Sequence, residues 1–425
     1  MNSIFDPANL RRRLRVLRPT PLEWRWCLYD AANSAFSLIV MTTLFPLFYA
    51  QYVLTTDAPP GAATAGVGFA NAAAGFAAAL AMPSLGALAD RRNARRAGVW
   101  CAVIAGCLCT LLLNLIRPGM TTAAQGVYAM AVFAFASGNV CYDSMLVDVT
   151  TRSRMDYVSG MGFAVGYIGS VIPFLIVLAA IFRIGAGAQG FHFAFTVTAL
   201  WWAAWSLPLL LARLNRRPSA APTAEPHPLR QTLRRIWSDR NIRSFLCAYF
   251  LYIDGVDTII VMSVPYGAEV GLGAKELIAV IIGIQVVAFP CALAYGALAA
   301  RFGAKRMLLF GIACYGATVV AAALLPVLDS HAAKLALFLL LALSVAANQG
   351  GIQALSRSCF GRIIPAEYAA EYFGFYNIFG KFAAVLGPLI VGLSGWLLGG
   401  GRFGILSLLG FFGVGAWLLR RTRID

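Results

Sequence analysis

Charge is what this chain of 425 residues has least of: 12% of its residues are Asp, Glu, Lys or Arg, only 18 are acidic, and 60% are hydrophobic. That balance leaves too few polar side chains to cover a water-soluble fold of this length and excludes an ordinary soluble domain. Histidine is also scarce. His192, His227 and His331 stand apart, with no HExxH pattern or acidic cluster beside them, so catalytic zinc is not expected. No Walker A sequence occurs, which removes ATP as a direct energy source. The stretch Gly185-Ala-Gly-Ala-Gln-Gly190 satisfies GxGxxG, but no strand-like run precedes it, so nucleotide binding is not expected either. Nine cysteines are present, nearly all inside apolar runs and none in a CxxC, and they are expected to be reduced core residues. No metal and no cofactor is anticipated.

What fills the chain instead is apolar runs of membrane-crossing length, about 20 residues each. They fall at approximately 26–53, 64–88, 97–116, 123–149, 159–183, 189–212, 243–268, 276–299, 305–327, 333–356, 369–398 and 402–420, twelve in all. The net charge of +16 would suggest a nucleic-acid partner on a soluble fold, but here the cations lie between the runs and mark topology. The termini and the loops near 91–96, 152–154, 213–243, 301–306 and 357–362 carry 28 of the 34 Lys and Arg. The opposite side carries Arg117, Arg183, Lys275, Lys334 and Arg402, which leaves Lys381 inside a helix. Both termini are therefore expected to be cytoplasmic. Only four of the 34 cations are lysine and Ala is abundant, the usage of a GC-rich bacterial gene, which points to a bacterial inner membrane. The arginines at 11, 12, 13, 15 and 18 precede a run too long for a signal peptide and read as a retained anchor for the first helix.

The chain is a doubled unit. Gly86-Ala-Leu-Ala-Asp-Arg-Arg-Asn-Ala-Arg-Arg96 recurs 210 residues later as Gly296-Ala-Leu-Ala-Ala-Arg-Phe-Gly-Ala-Lys-Arg306, with eight of eleven positions matched exactly or by like charge. Each copy runs a small-residue helix, suited to close backbone approach, into a cluster of cations. The Pro/Ala-rich stretch from Arg216 to Pro228 can bury nothing and reads as an extended linker. The expected organisation is a six-helix bundle over 1–213, a cytoplasmic linker over 214–241 and a second six-helix bundle over 242–425. Within that linker, Leu229 to Trp237 reads either as a short amphipathic helix on the membrane surface or as a flexible basic loop.

Two six-helix halves, each with a Gly-xxx-Asp-Arg-type loop after its second helix, resemble the major facilitator superfamily, an all-α membrane fold of two pseudo-symmetric bundles. The loop departs from the usual pattern at Asn93, where Gly is expected, and at Ala300, where the second copy lacks the acid. A closer resemblance lies in Trp26-Cys-Leu-Tyr-Asp-Ala-Ala-Asn-Ser-Ala-Phe36, Tyr252-Ile-Asp-Gly-Val-Asp-Thr-Ile-Ile260, Gln349-Gly-Gly-Ile-Gln-Ala-Leu-Ser-Arg357 and Phe373-Gly-Phe-Tyr-Asn-Ile-Phe-Gly-Lys-Phe-Ala383. These are similar to the branch that contains the autophagy-linked vacuolar amino-acid effluxers and their bacterial relatives. The resemblance implies secondary transport of a small solute and no enzymatic activity.

A carboxyl at the bilayer centre costs about 3 kcal/mol on insertion scales and needs a partner or a wet cavity. Asp30, Asp143, Asp254 and Asp257 are four such acids, and each has polar company on its own helix face: Asn33 and Ser34 for Asp30, Asn139 for Asp143, Thr258 for the other two. Helices one and seven hold equivalent places in the two halves, so Asp30 and Asp254 are expected to face each other across a pathway. The roles open to these acids are proton coupling, structural hydrogen bonding and binding of a substrate amine. Lys381, one turn after Asn377, calls for an internal acidic partner or serves as an anchor for a substrate carboxylate or phosphate. Gln285, Asn348, Gln349 and Gln353 are neutral candidates for the same lining.

A second group suggests a gate. Asp90, Arg91 and Arg95 lie near the exit of the fourth helix, where Asp148 sits, and such a cluster can latch one conformation and release in another. Gly86 and Gly296 mark the two helix ends. In the second half Arg301 follows Ala300, and Arg357 stands 209 residues after Asp148, so the two latches are chemically unequal. The expectation is an alternating-access transporter, monomeric since twelve helices can enclose a pathway alone, with a small solute and protons as its partners. A membrane enzyme acting on lipid-linked substrates or a non-transporting sensor are the other classes.

Overall fold

A backbone that crosses lipid must satisfy its own N–H and C=O groups, so apolar runs of this length fold as helices. The computed structural model describes residues 18–212 and 229–424, apart from 56, 60, 186, 270, 399 and 400. The side chains of residues 229, 264, 265, 269, 274, 275, 278, 381–385, 395, 396, 398 and 401 also fall outside the description. The arginine cluster at 11–15, the Arg216 to Pro228 stretch with His227, and the side chains of Lys275 and Lys381 therefore lie outside the described residues.

Among the described residues there are twelve long helices and no strand: α1 Pro21–Val53, α2 Ala62–Arg91, α3 Arg95–Leu115, α4 Thr121–Val149, α5 Arg152–Ile184, α6 Ala188–Leu210, α7 Arg240–Glu269, α8 Ala274–Phe302, α9 Ala304–Val327, α10 His331–Ile363, α11 Ala369–Leu398 and α12 Arg402–Arg421. Eleven of them contain a segment long and apolar enough to cross a membrane, and the remaining one, α11, is 30 residues long. At about 1.5 Å per residue that length also exceeds a hydrocarbon core of about 30 Å.

Local chemistry sets several helix ends. Thr20 caps α1 in a reciprocal box with Glu23, and Pro21 occupies the first turn, where its missing N–H does no harm. The α2–α3 turn places Asn93 at φ 52°, a left-handed conformation that Asn tolerates better than other side chains, which is why Asn can replace the expected Gly. Helix α1 departs from uniform α geometry: Phe36–Leu44 and Tyr49–Val53 are π-helical, with Phe45 N–H bonded to the carbonyl of Val40. Hydropathy gives no signal for this, because the change of register leaves the apolar composition intact.

Two large apolar cores form. One draws on residues of α1 to α6 together with Ala370 of α11, and the other on residues of α7 to α12 and the short linker helix Leu229–Ser238. That helix turns Thr232 and Ile236 inward and leaves Arg230, Leu233, Arg234 and Trp237 exposed, so the stretch is a helix and not a flexible loop.

Between the two cores, α2 packs on α11 and α5 on α8. Small residues make both crossings possible. A Cβ on Gly86 would sit 2.2 Å from the backbone oxygen of Ala370, and one on Gly374 would sit 2.8 Å from Cα of Pro83. At the other crossing, a Cβ on Gly160 would fall 2.8 Å from the oxygen of Ala292, and one on Gly296 3.0 Å from that of Asp156. The repeated Gly-Ala-Leu-Ala element is thus a pair of interface helices. Backbone atoms cannot move aside as a flexible side chain can. Gly86→Ala and Gly374→Ala are each expected to destabilise the closed arrangement by about 1–3 kcal/mol, read as a lower thermal midpoint of the purified protein. Gly75→Ala, with nothing within 4 Å of its Cβ, is the matched control and should leave the midpoint unchanged.

Candidate functional site

The end of the molecule that carries the α2–α3, α4–α5, α8–α9 and α10–α11 turns, referred to below as the basic end, is held shut by two tiers of charge between the halves. The inner tier centres on Arg357 of α10, whose side chain is 4% exposed. Its Nη2 lies 3.3 Å from Asp30 Oδ2 of α1, its Nη1 lies 3.2 Å from Asp143 Oδ1 of α4, and its Nε donates to Ser159 Oγ of α5 at 2.9 Å. Trp26, Tyr142 and Phe163 surround the guanidinium, with ring centroids 4.6, 5.5 and 4.5 Å away. Desolvated Arg gains from both kinds of contact, the carboxylate forks and the aromatic faces.

The acids of this tier are themselves held. Tyr142 donates to Asp30 Oδ2 at 2.7 Å, and Asn377 of α11 donates to Asp143 Oδ2 at 3.3 Å. Trp26 stacks on Tyr142 with centroids 4.5 Å apart and donates its indole N–H to the Tyr142 carbonyl. On the same face Asn33 donates to Asn139 at 2.6 Å. Asp30, Asn33, Asn139, Asp143 and Asn377 are therefore gathered in one region, as the helix spacing implies.

The outer tier lies closer to the basic end. Arg95 pairs with Asp90 at 2.7 Å and with Asp148 at 2.8 Å, and it donates to the Ala366 carbonyl of the other half at 2.7 Å. Asp90 in turn accepts the backbone N–H groups of Ala370 and Glu371, at 3.2 and 2.9 Å, so an α2 carboxylate caps the first turn of α11. Orphan donors and a positive helix end make that a favoured place for a carboxylate. The other crossing uses a different pair. Asp156, in the first turn of α5, takes a two-pronged bond from Arg362 of α10 at 2.9 Å on each oxygen and a third from Ser358. Glu23 holds Arg154 at 2.8 Å and Thr150 at 2.6 Å, which ties the start of α1 to the α4–α5 turn.

Several expected placements change. Arg357, expected at the gate, sits instead with Asp30 and Asp143. Asp254, expected opposite Asp30, is fully buried in the α7–α11 contact, where it accepts Gly387 N–H at 2.8 Å. Its Oδ1 lies 3.5 Å from Thr258, and Oδ2 has no hydrogen-bond partner among the described residues. Asp257 is half-buried, within electrostatic reach of Tyr167, Tyr249 and Tyr315. Asn348 bonds Tyr295 and the Ser344 carbonyl within the second half. Gln285, Gln349 and Gln353 are half-buried, and Arg91 is exposed. Arg301 is also exposed and lies over the ring of its neighbour Phe302, in neither tier.

Sequence reasoning missed Trp26, Tyr142, Asp156, Ser159 and Arg362. Trp26 lies one turn before Asp30 and Tyr142 beside Asp143, so proximity to a buried acid was the available signal. Nothing in the repeat pointed to Asp156, because its partner is 206 residues away.

The comparisons agree with this architecture. The family described as "Vacuole effluxer Atg22 like" matches residues 62–425. The chain is 39% identical over 419 residues, 95% of each chain, to a protein of Bacillus subtilis named "Uncharacterized MFS-type transporter YxiO". It is 25% identical to "Autophagy-related protein 22" of Yarrowia lipolytica over 61% of this chain and 49% of that protein. In fold it is similar to the proton:xylose symporter XylE, with a TM-score of 0.74 and 12% identity over 94% of this chain and 95% of that one. With twelve long helices among its described residues, paired interface glycines and cross-half charge tiers, the chain belongs to the Atg22-like family of the major facilitator superfamily and is an integral membrane secondary transporter.

Proposed function

We propose that this transporter moves a small zwitterionic metabolite, an amino acid or a close relative, by alternating access coupled to protons. The observation that carries the reading is the charge count of the inner tier. Two carboxylates, Asp30 and Asp143, share one guanidinium among the described side chains. A buried cluster with one negative charge left over favours an added proton or an ammonium group. A substrate amine and a proton are the two species that fit. Lys381, one turn after Asn377 on α11, is assigned to the substrate carboxylate, and Asp257, Gln285 and Gln353 to the lining of the same pathway. Asp254 and Asn348 are assigned to helix packing.

Alternating access then has a stated price in contacts. To open the basic end, the half comprising 1–213 must part from the half comprising 242–425. Arg357 leaves Asp30, Asp143 and Ser159; Asp90 leaves the first turn of α11; Arg362 leaves Asp156. A proton on Asp30 or Asp143 weakens the hold on Arg357 and lowers the barrier to that step, which is how proton binding couples to movement. The excess of cations on loops at the basic end supports a cytoplasmic position for that end, and we assign the chain to a bacterial inner membrane. The conformation described is then outward-facing, and the chain works as a monomer.

A thermal-shift screen of the common amino acids at pH 5.5 and pH 7.5, with hits followed as radiolabelled flux in proteoliposomes, tests the substrate class. Saturable flux no greater than in empty liposomes for every amino acid tried ends this reading. Arg357→Lys keeps the charge but cannot reach both carboxylates and Ser159 with one rigid fork, and it is expected to lower saturable flux by about tenfold or more. Asp143→Asn mimics the protonated state. It should retain exchange of solute across the membrane but lose accumulation driven by a pH gradient. Equal gradient-driven accumulation in the variant and the natural protein rules out Asp143 as the coupling group.

A further inference from the structure

The receptor for the Arg357 guanidinium is built from one half of the molecule. Nη2 donates to Asp30 Oδ2 at 3.3 Å and to the Ser159 carbonyl at 3.1 Å, Nη1 to Asp143 Oδ1 at 3.2 Å, and Nε to Ser159 Oγ at 2.9 Å. The rings around the cation, Trp26, Tyr142 and Phe163, come from the same three helices, α1, α4 and α5. Gly162 of α5 completes the wall: a Cβ there would lie 2.3 Å from Asp30 Oδ2 and 3.1 Å from both Trp26 and Arg357 Nη2. These parts are also joined to one another within the first half. The Tyr142 hydroxyl donates to Asp30, the Trp26 indole donates to the Tyr142 carbonyl, and the two rings stack. Among the described residues, the second half adds to these groups the Arg357 side chain, the Asn377 amide on Asp143 and the Ala354 carbonyl that accepts from Ser159 Oγ.

We infer that, when the basic end opens, this pocket takes the guanidinium of a solute in place of Arg357, which makes Arg357 the internal competitor of the solute it helps to move. The inference rests on the assignment of Asp30 and Asp143 to the cationic part of the solute, and it narrows that part from an amine to a guanidinium. Parting of the halves withdraws Arg357 and leaves two carboxylates, a hydroxyl, a carbonyl and three aromatic faces in place on α1, α4 and α5. A planar fork with a delocalised, weakly hydrated charge matches that set; a compact ammonium does not span both carboxylates and stack on the rings at once. The exchange also conserves charge, since Asp30, Asp143 and one guanidinium carry the same net charge whichever guanidinium is bound. Two carboxylates left without a cation in such a pocket are disfavoured, so withdrawal of Arg357 creates the demand that the solute meets. Because solute and Arg357 exclude each other, the solute binds the state in which the basic end is open and shifts the population toward it. Return of Arg357 on closure then displaces the solute toward the opposite face.

The test uses the full chain in detergent and four probes. L-Arginine is compared with L-citrulline, which keeps the planar shape without the charge, with L-lysine, which keeps the charge without the fork, and with agmatine, which keeps the guanidinium without the carboxylate. By titration calorimetry, L-arginine is expected to bind about tenfold or more tightly than L-citrulline and L-lysine. Arg357→Ala removes the competitor and is expected to tighten L-arginine binding by a further factor of about ten. Hydrogen exchange reads the conformation. Asp90 holds the N–H groups of Ala370 and Glu371 while the basic end is closed, so these amides should exchange faster in the natural protein at saturating L-arginine. L-Citrulline or L-lysine binding as tightly as L-arginine, weaker or unchanged binding to Arg357→Ala, or exchange at the two amides that slows or stays the same overturns the inference. Should Arg357→Ala fail to fold, the two measurements on the natural protein decide. Agmatine meeting these criteria where L-arginine does not bind leaves the guanidinium pocket standing and removes the amino-acid reading. Flux of another amino acid with neither guanidinium compound bound removes the pocket and leaves that reading.

Discussion

A guanidinium buried between two half-molecules constrains everything else at the basic end. Arg357 cannot be left without counter-charge, since removal of one partner of a buried pair costs about 3–5 kcal/mol. Its counter-charges belong to the opposite half. The halves are therefore held together by a requirement of electrostatics as well as by packing. The surrounding structure follows from this: Tyr142 and Asn377 orient the carboxylates, Trp26 and Phe163 exclude water from the cation, and Ser159 accepts from Nε and Nη2. Release of this conformation requires Arg357 to part from both carboxylates and from Ser159.

The doubled architecture is used asymmetrically. Both crossings rely on glycine for backbone contact, yet they are fastened by different chemistry. At α2 and α11 the acid stands on the small-residue helix and caps its partner. At α5 and α8 that position is Ala300, and the fastening shifts to Asp156 at the start of α5 and Arg362 on α10. A carboxylate satisfied by backbone donors has no single partner to lose, whereas a two-pronged Arg pair is lost as a unit. The outer tier thus combines a diffuse latch with a discrete one.

Legibility differed by scale. Helix count, order and approximate bounds were readable because an apolar run of bilayer length has only one stable backbone solution. The interface role of Gly86 and Gly296 was readable because a repeated small-residue motif implies close contact. The identity of Asp30 and Asp143 as placed acids followed from the cost of carboxylates in lipid. Their partner was not readable, since Arg357 is 327 residues from Asp30 and the repeat suggested a gate instead. Asp254 shows the opposite failure: equivalence of α1 and α7 implied a shared pathway, but its carboxylate accepts from the Gly387 backbone within its own half.

By itself, then, the sequence determined the membrane class, the doubling and the need of Asp30, Asp143 and Asp254 for shelter from lipid, because apolar run length, the repeated motif and the cost of a carboxyl in lipid are all local properties. Which charges meet across the halves, and that α1 winds partly as a π-helix, was decided only in three dimensions. Pairing between residues hundreds of positions apart depends on how helices rotate about their axes, and that rotation is set by packing of the whole bundle.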